Sequence, residues 1–166
     1  MSNIKIGITQ GDINGISYEV ILKTLEDNRI CELCTPIVYG SPKVAAYHRK
    51  MLNLNVNLNI INKAEEAQEK KANIINCCNE EIKVEVGLST PQAGEAAFKA
   101  LEKATRDLKE GKIDVLVTAP INKNNIQSES FSFPGHTEYL ENIFGEKGDA
   151  LMILANESLR IAVATG

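Results

Sequence analysis

The alternation of two hydrophobic periods along the chain constrains its fold more than any other feature. Ile4, Ile6 and Ile8 form a short β-branched run with the signature of a buried strand. After the loop Gln10-Gly-Asp-Ile-Asn-Gly15, the residues Ile16, Val20, Ile21 and Leu25 recur at helical spacing. The same switch repeats downstream. Pro36-Ile-Val-Tyr39 reads as a strand ended by Gly40, and Ser41-Pro42 supplies an N-cap and a first-turn proline for a helix to about Leu52. Leu54, Val56, Leu58 and Ile60 alternate with asparagines, the period of a half-buried strand. Residues 62–81 are charged without a clear apolar face and read as a surface excursion; Ile82, Val84 and Val86 then resume a strand. The strongest helix runs from Pro91 to about Glu110, with Ser89 and Thr90 ahead of it and Gly111 ending it. Ile113–Thr118 reads as a fully buried strand. Leu140, Ile143 and Phe144 mark a short helix capped by Gly145. Ala150–Leu154 and Leu159–Ala164 read as neighbouring strands, the latter a core strand that stops without a cap or following helix. Strands alternating with helices predict a layered α/β/α domain with a largely parallel sheet, whose ligands sit beyond the carboxyl ends of the strands.

Composition narrows the function classes. With 43% hydrophobic and 24% charged residues, the chain belongs with soluble globular proteins and not with disordered ones. A net charge of −4 argues against a nucleic-acid partner bound by bulk phosphate neutralisation. No apolar run approaches a membrane span, and Met1-Ser2-Asn3 leads straight to the first strand without a signal-peptide core, so a cytoplasmic location is expected. The four cysteines fall as Cys31-Glu-Leu-Cys34 and Cys77-Cys78. A zinc site would need a second chelating pair of similar spacing, and a redox pair would open a helix. Structural or surface thiols are the expectation.

Three loops at strand ends are rich in chemistry. In Thr9-Gln-Gly-Asp12 with Gly15, Asp12 could contact a cation or a hydroxyl, or Asp12 or Asn14 could simply cap the next helix. The loop lacks the G-x-G-x-x-G dinucleotide fingerprint. In Thr118-Ala-Pro-Ile-Asn-Lys123, Asn122 is a natural N-cap for a short helix toward Gln127. Lys123 in the first turn would oppose the helix dipole, which an anionic ligand would explain and an exposed loop lysine would not need. In Phe133-Pro-Gly-His-Thr-Glu138, His136 and Thr137 stand at a helix start, where backbone N–H groups attract anions; a plain Thr137 cap with His136 beside it is the alternative. His48, on the buried side of its helix, is expected to pack.

These loops, in this order, resemble the 4-hydroxythreonine-4-phosphate dehydrogenase family of vitamin B6 (pyridoxine) biosynthesis. The matching segments are Ile8-Thr-Gln-Gly-Asp-Ile-Asn-Gly15 with Glu19, Val117-Thr-Ala-Pro-Ile-Asn-Lys123, Phe133-Pro-Gly-His-Thr-Glu138 and Leu159-Arg-Ile-Ala-Val-Ala-Thr-Gly166. The first loop departs from the family pattern Gly-Asp-Pro-Ala-Gly-Ile-Gly-Pro-Glu, with Ile13, Asn14, Ser17 and Tyr18 in place of the proline, alanine, glycine and second proline. The resemblance implies a fold like isocitrate and isopropylmalate dehydrogenases, two α/β domains and a homodimer. It also implies that residues 1–166 are the N-terminal portion of an enzyme roughly twice as long. Family enzymes oxidise 4-phosphooxy-L-threonine with NAD or NADP, and the β-keto acid formed loses CO₂ to give 3-amino-2-oxopropyl phosphate. A divalent metal, often zinc, assists, held by histidines that the family places beyond Gly166.

By the same resemblance His136 and Thr137 bind the small phosphorylated substrate, and Asp12, Asn122 and Lys123 line the cleft. No metal triad can be built from His48, His136 and the cysteines, so these residues alone are expected to be inactive. Two readings stay open at this stage. One is the N-terminal part of a dehydrogenase; the other is a stand-alone ligand-binding or interaction domain without catalysis.

Overall fold

The structure is a computed structural model that describes residues 3–78, 81–146 and 148–163. It divides into two compact units, Met1–Gln127 and Ser128–Gly166. The first unit is built on five strands: β1 (Lys5–Thr9), β2 (Thr35–Gly40), β3 (Asn59–Ile61), β4 (Asn73–Asn76) and β5 (Val115–Thr118). They lie in the order β3-β4-β2-β1-β5, and every pairing is parallel. Four helices accompany them: α1 (Ser17–Glu26), the short α2 (Arg29–Leu33), α3 (Pro42–Met51) and α4 (Pro91–Lys109).

Alternation along the central strands sorts the core into two layers. Val38 and Ile74 join Tyr18, Ile21, Leu22 and Val44 of α1 and α3 in one buried cluster. Ile37, Tyr39 and Ile75 face the other way, onto Ala100 and Ala104 of α4. The expected three-layer α/β/α arrangement is therefore present. Small residues on α4 bring its backbone close to the sheet, and the Tyr39 hydroxyl donates to the buried Asp107 carboxylate at 2.8 Å to pin it there. Both proline-led helices start where the sequence places them. Ser41 Oγ accepts from Val44 N–H at 3.4 Å, and Thr90 Oγ1 from Ala93 N–H at 3.3 Å.

Four strand expectations in the first unit need correction. The segment 62–81 is not merely a surface excursion, because it contains β4, an interior strand of the sheet. The polar sequence hides it: Asn73 is fully buried, and its amide donates to the carbonyls of Lys71 and Gln68 and accepts from Gln68 N–H. Ile82, Val84 and Val86 alternate but form no strand. Ile82 and Val84 pack at the edge of the core, while β4 already occupies the open side of β2. The run from Leu54 enters the ladder only at Asn59. Finally β5 is an edge strand whose Val115 and Val117 are 45% and 47% exposed, because α4 covers only its Leu116 side.

The second unit contains α5 (His136–Phe144) and an antiparallel hairpin of β6 (Met152–Ala155) and β7 (Arg160–Val163). The rings of Phe131, Phe133 and Tyr139 meet with centroids 5.4–5.5 Å apart and anchor the start of α5. The hairpin agrees with the paired strands read from the sequence, but β7 is no core strand, since its residues are largely exposed. A two-stranded sheet offers no second layer to bury them. The last expected strand residue, Ala164, and the Thr165-Gly166 end lie outside the described residues.

No described helix is long and apolar enough to cross a membrane.

Candidate functional site

All five strands of the first unit point the same way, so the loops that follow them share one edge. Later strands flank β1 on both sides, which makes its carboxyl end the point where strand order reverses and where such sheets bind ligands. The loop after β1 and the loop after β5 meet there. Asp12 N–H donates to the Pro120 carbonyl at 2.8 Å, and Ala119 N–H donates to Thr9 Oγ1 at 3.3 Å. Gly11 turns the chain at φ +61°, with Pro120 O and Ser17 Oγ where a Cβ would stand.

Asp12 does not cap α1. Its Oδ1 accepts from Asn14 N–H at 3.0 Å and its carbonyl from Gly15 N–H at 3.2 Å, a closed local turn. Helix α1 begins after Ile16 with no side-chain cap at all. Asn14 does not cap it either, because its side chain reaches the segment ahead of α4. The half-buried Asp12 keeps its second oxygen, Oδ2, on the Gly15 side of the loop.

Gln10, which no motif or period in the sequence marks, is the hub beneath this loop. It is fully buried; its Nε2 donates to the Ala96 carbonyl at 2.9 Å and to Cys78 Sγ at 3.1 Å, and its Oε1 accepts from the Tyr18 hydroxyl at 2.8 Å. Burial drives the Tyr18 hydroxyl well above its ordinary pKa, so it stays a proton donor. His48 closes the underside: its Nε2 donates to the Ile13 carbonyl at 2.8 Å and its ring stacks on Tyr18 at 5.4 Å. The packing role expected for His48 is observed, and desolvation lowers its pKa below 6.5.

Asn122 and Lys123 lie in the loop after β5, but no helix follows them. Asn122 Oδ1 accepts from Asn124 N–H at 3.0 Å and from Asn125 N–H at 3.3 Å, so the residue caps a single turn. The dipole argument for Lys123 fails with the missing helix, and the residue is simply exposed beside the Asp12 loop. The loop cannot wind further because its backbone is pressed against α4, where Gly94 leaves room for the Asn125 carbonyl.

His136 and Thr137 belong to the second unit, and Asp12, Asn122 and Lys123 to the first. They form the first turn of α5 as the sequence indicates. Gly135 holds the N-cap position with no side-chain cap, so Thr137 is not the cap. The first intrahelical bond runs from Tyr139 N–H to Gly135 C=O at 3.3 Å, which leaves the 136–138 amides ahead of the ladder, in the place where helices receive anions.

The four cysteines are free thiols. Burial pushes Cys77 up to about 12 and raises Cys31, Cys34 and Cys78, so none is held as a thiolate. Among the described residues, no three His, Cys, Asp or Glu side chains gather to hold a metal ion.

Comparison with known proteins places this geometry. The chain is 57% identical over 164 residues to a 4-hydroxythreonine-4-phosphate dehydrogenase of Bacteroides thetaiotaomicron, covering 99% of this chain and 45% of that protein. It is 34% identical to a protein of Oceanobacillus iheyensis named provisionally as a D-threonate 4-phosphate dehydrogenase, covering 96% of this chain and 49% of that one. Among solved structures, a 4-hydroxythreonine-4-phosphate dehydrogenase from Burkholderia phymatum matches with a TM-score of 0.83 and 28% identity, over 98% of this chain and 49% of that chain. The fold is therefore of the isocitrate dehydrogenase-like type, as expected, and the chain spans about half the length of the relatives it matches. The model of the pyridoxal phosphate biosynthetic protein PdxA matches residues 32–166, well over half of the sequence, and with it the chain belongs to the PdxA family.

Proposed function

We propose that these residues supply the N-terminal part of a dehydrogenase that oxidises 4-phosphooxy-L-threonine with NAD or NADP, the keto acid then losing CO₂ to give 3-amino-2-oxopropyl phosphate. The 57% identity across 99% of the chain to a relative named for that activity carries the reading. In it, His136 and Thr137 at the head of α5 hold the substrate, with the amides of that turn offering donors to its anionic group. Asp12, Asn122 and Lys123 border the cleft at the strand-order reversal of the first unit. The described residues do not fit a metal site, so a divalent ion, zinc by family habit, takes its ligands from residues outside this set. The enzyme works as a cytoplasmic homodimer, and residues 1–166 alone neither turn over substrate nor hold the metal.

Incubating the full-length protein with 4-phosphooxy-L-threonine and either nicotinamide cofactor should give cofactor reduction at 340 nm, lowered at least tenfold in kcat/KM by His136→Ala. D-threonate 4-phosphate serves as the comparison substrate, because relatives at 32–34% identity carry that name. Faster turnover of the threonate would transfer the reading to that substrate. Ligand binding without turnover of either would favour the non-catalytic binding domain. An unchanged kcat/KM would remove His136 from the site.

A further inference from the structure

The four positions at which the first loop departs from the family pattern, Ile13, Asn14, Ser17 and Tyr18, are all buried. Each takes part in a hydrogen bond within the interior of the first unit. Ile13 receives the His48 bond from α3, and Tyr18 joins the Gln10 hub. Asn14 donates to the Leu88 carbonyl at 2.9 Å and to Thr90 Oγ1 at 3.2 Å, and accepts from Glu85 N–H at 2.8 Å. It thereby grips the residue that caps α4.

Ser17 makes the connection that bears on the site. A serine at a helix start ordinarily spends its hydroxyl on its own helix. Here Ser17 Oγ donates across 103 residues to the Pro120 carbonyl at 2.7 Å, beside the 2.8 Å bond from Asp12 N–H to the same oxygen. Both lone pairs of one carbonyl in the loop after β5 are thus taken by the loop after β1. A glycine at 17, as in the family pattern, has no hydroxyl to give. From the other side, α4 holds the same loop where Gly94 meets Asn125. Asn14 links that helix back to the first loop, so the braces close a ring around residues 119–125.

We propose that Ser17 is a positioning residue, which through the Pro120 carbonyl fixes Asn122 and Lys123 relative to Asp12. The role in turnover rests on the dehydrogenase reading above; the role in holding the loop does not.

The test compares Ser17→Ala with Thr105→Val in the full-length protein. Thr105 is equally buried, on α4, and its hydroxyl has no hydrogen-bond partner among the described residues, so its replacement removes a hydroxyl without a bond. Hydrogen exchange at Asp12 N–H should quicken about tenfold in Ser17→Ala and not in Thr105→Val, with the amides of β2 unchanged in both. Substrate kcat/KM should fall by about the same factor in Ser17→Ala alone. Unchanged exchange at Asp12, or a rise shared equally by the β2 amides, would overturn the proposal. Should the wild-type protein reduce no cofactor at all, the function reading fails, and the exchange comparison still decides whether Ser17 holds the loop.

Discussion

Single residues carry much of this fold's specificity, and two of them, His48 and Gln10, are buried polar groups. His48 is neutral in the folded state because burial lowers its pKa below 6.5, and its Nε2–H is committed to the Ile13 carbonyl. As pH falls through 6.5 the unfolded chain takes up a proton before the folded one does. Stability is therefore full above that value and is lost toward the lower folded pKa, by at most about 1.4 kcal/mol per pH unit for one proton. His48→Gln, which keeps a donor but does not titrate, should flatten the dependence of Tm on pH below pH 6.5. An identical slope in the two proteins would assign the acid sensitivity to other groups. Gln10 is the other such residue. Its neighbours Gly11 and Asp12 drew attention in the sequence, whereas a glutamine with all its bonds satisfied in the interior leaves no periodic or motif signal.

At the scale of elements, α4 shows how packing overrides propensity. Replacing a glycine inside a helix with alanine ordinarily stabilises by about 0.5–1 kcal/mol. At Gly94 the added Cβ would run into the backbone carbonyl of Asn125, an atom that cannot swing aside. Overpacking of this kind costs about 1–3 kcal/mol, so the clash outweighs the propensity gain. Gly94→Ala should lower stability by about 1–2 kcal/mol in denaturant titration and loosen the 122–126 turn. A gain in stability would show that the turn can retreat from the helix. The helix itself was legible from Thr90, Pro91 and its alanine stripe, and α3 from Ser41-Pro42, because caps and first-turn prolines act locally. Strand β4 was not legible, since its burial depends on Asn73 satisfying its amide against Gln68 and Lys71 in a fold already formed.

The whole molecule divides its stability unevenly. The five-stranded sheet is covered on both faces at β2, where every residue is buried. The hairpin of the second unit is the opposite case, with Leu151, Met152, Ile153, Leu154, Leu159 and Ile161 between 48 and 59% exposed. Exposed apolar area of that kind marks a surface that stability alone does not explain. In the 166-residue chain, amides of β6 and β7 should exchange orders of magnitude faster than those of β2, as read by mass spectrometry of deuterated peptides. Equal protection would mean that something covers the hairpin. By itself the sequence determined the α/β class, the two capped helices and the identity of the polar loops, because period, caps and turn residues act over a few positions. Only the tertiary structure decided that β4 lies inside the sheet, that β5 lies at its edge, and that Ser17 and Asp12 share the Pro120 carbonyl. Those outcomes depend on which residues meet across tens to a hundred positions of chain, and local physics does not encode that choice.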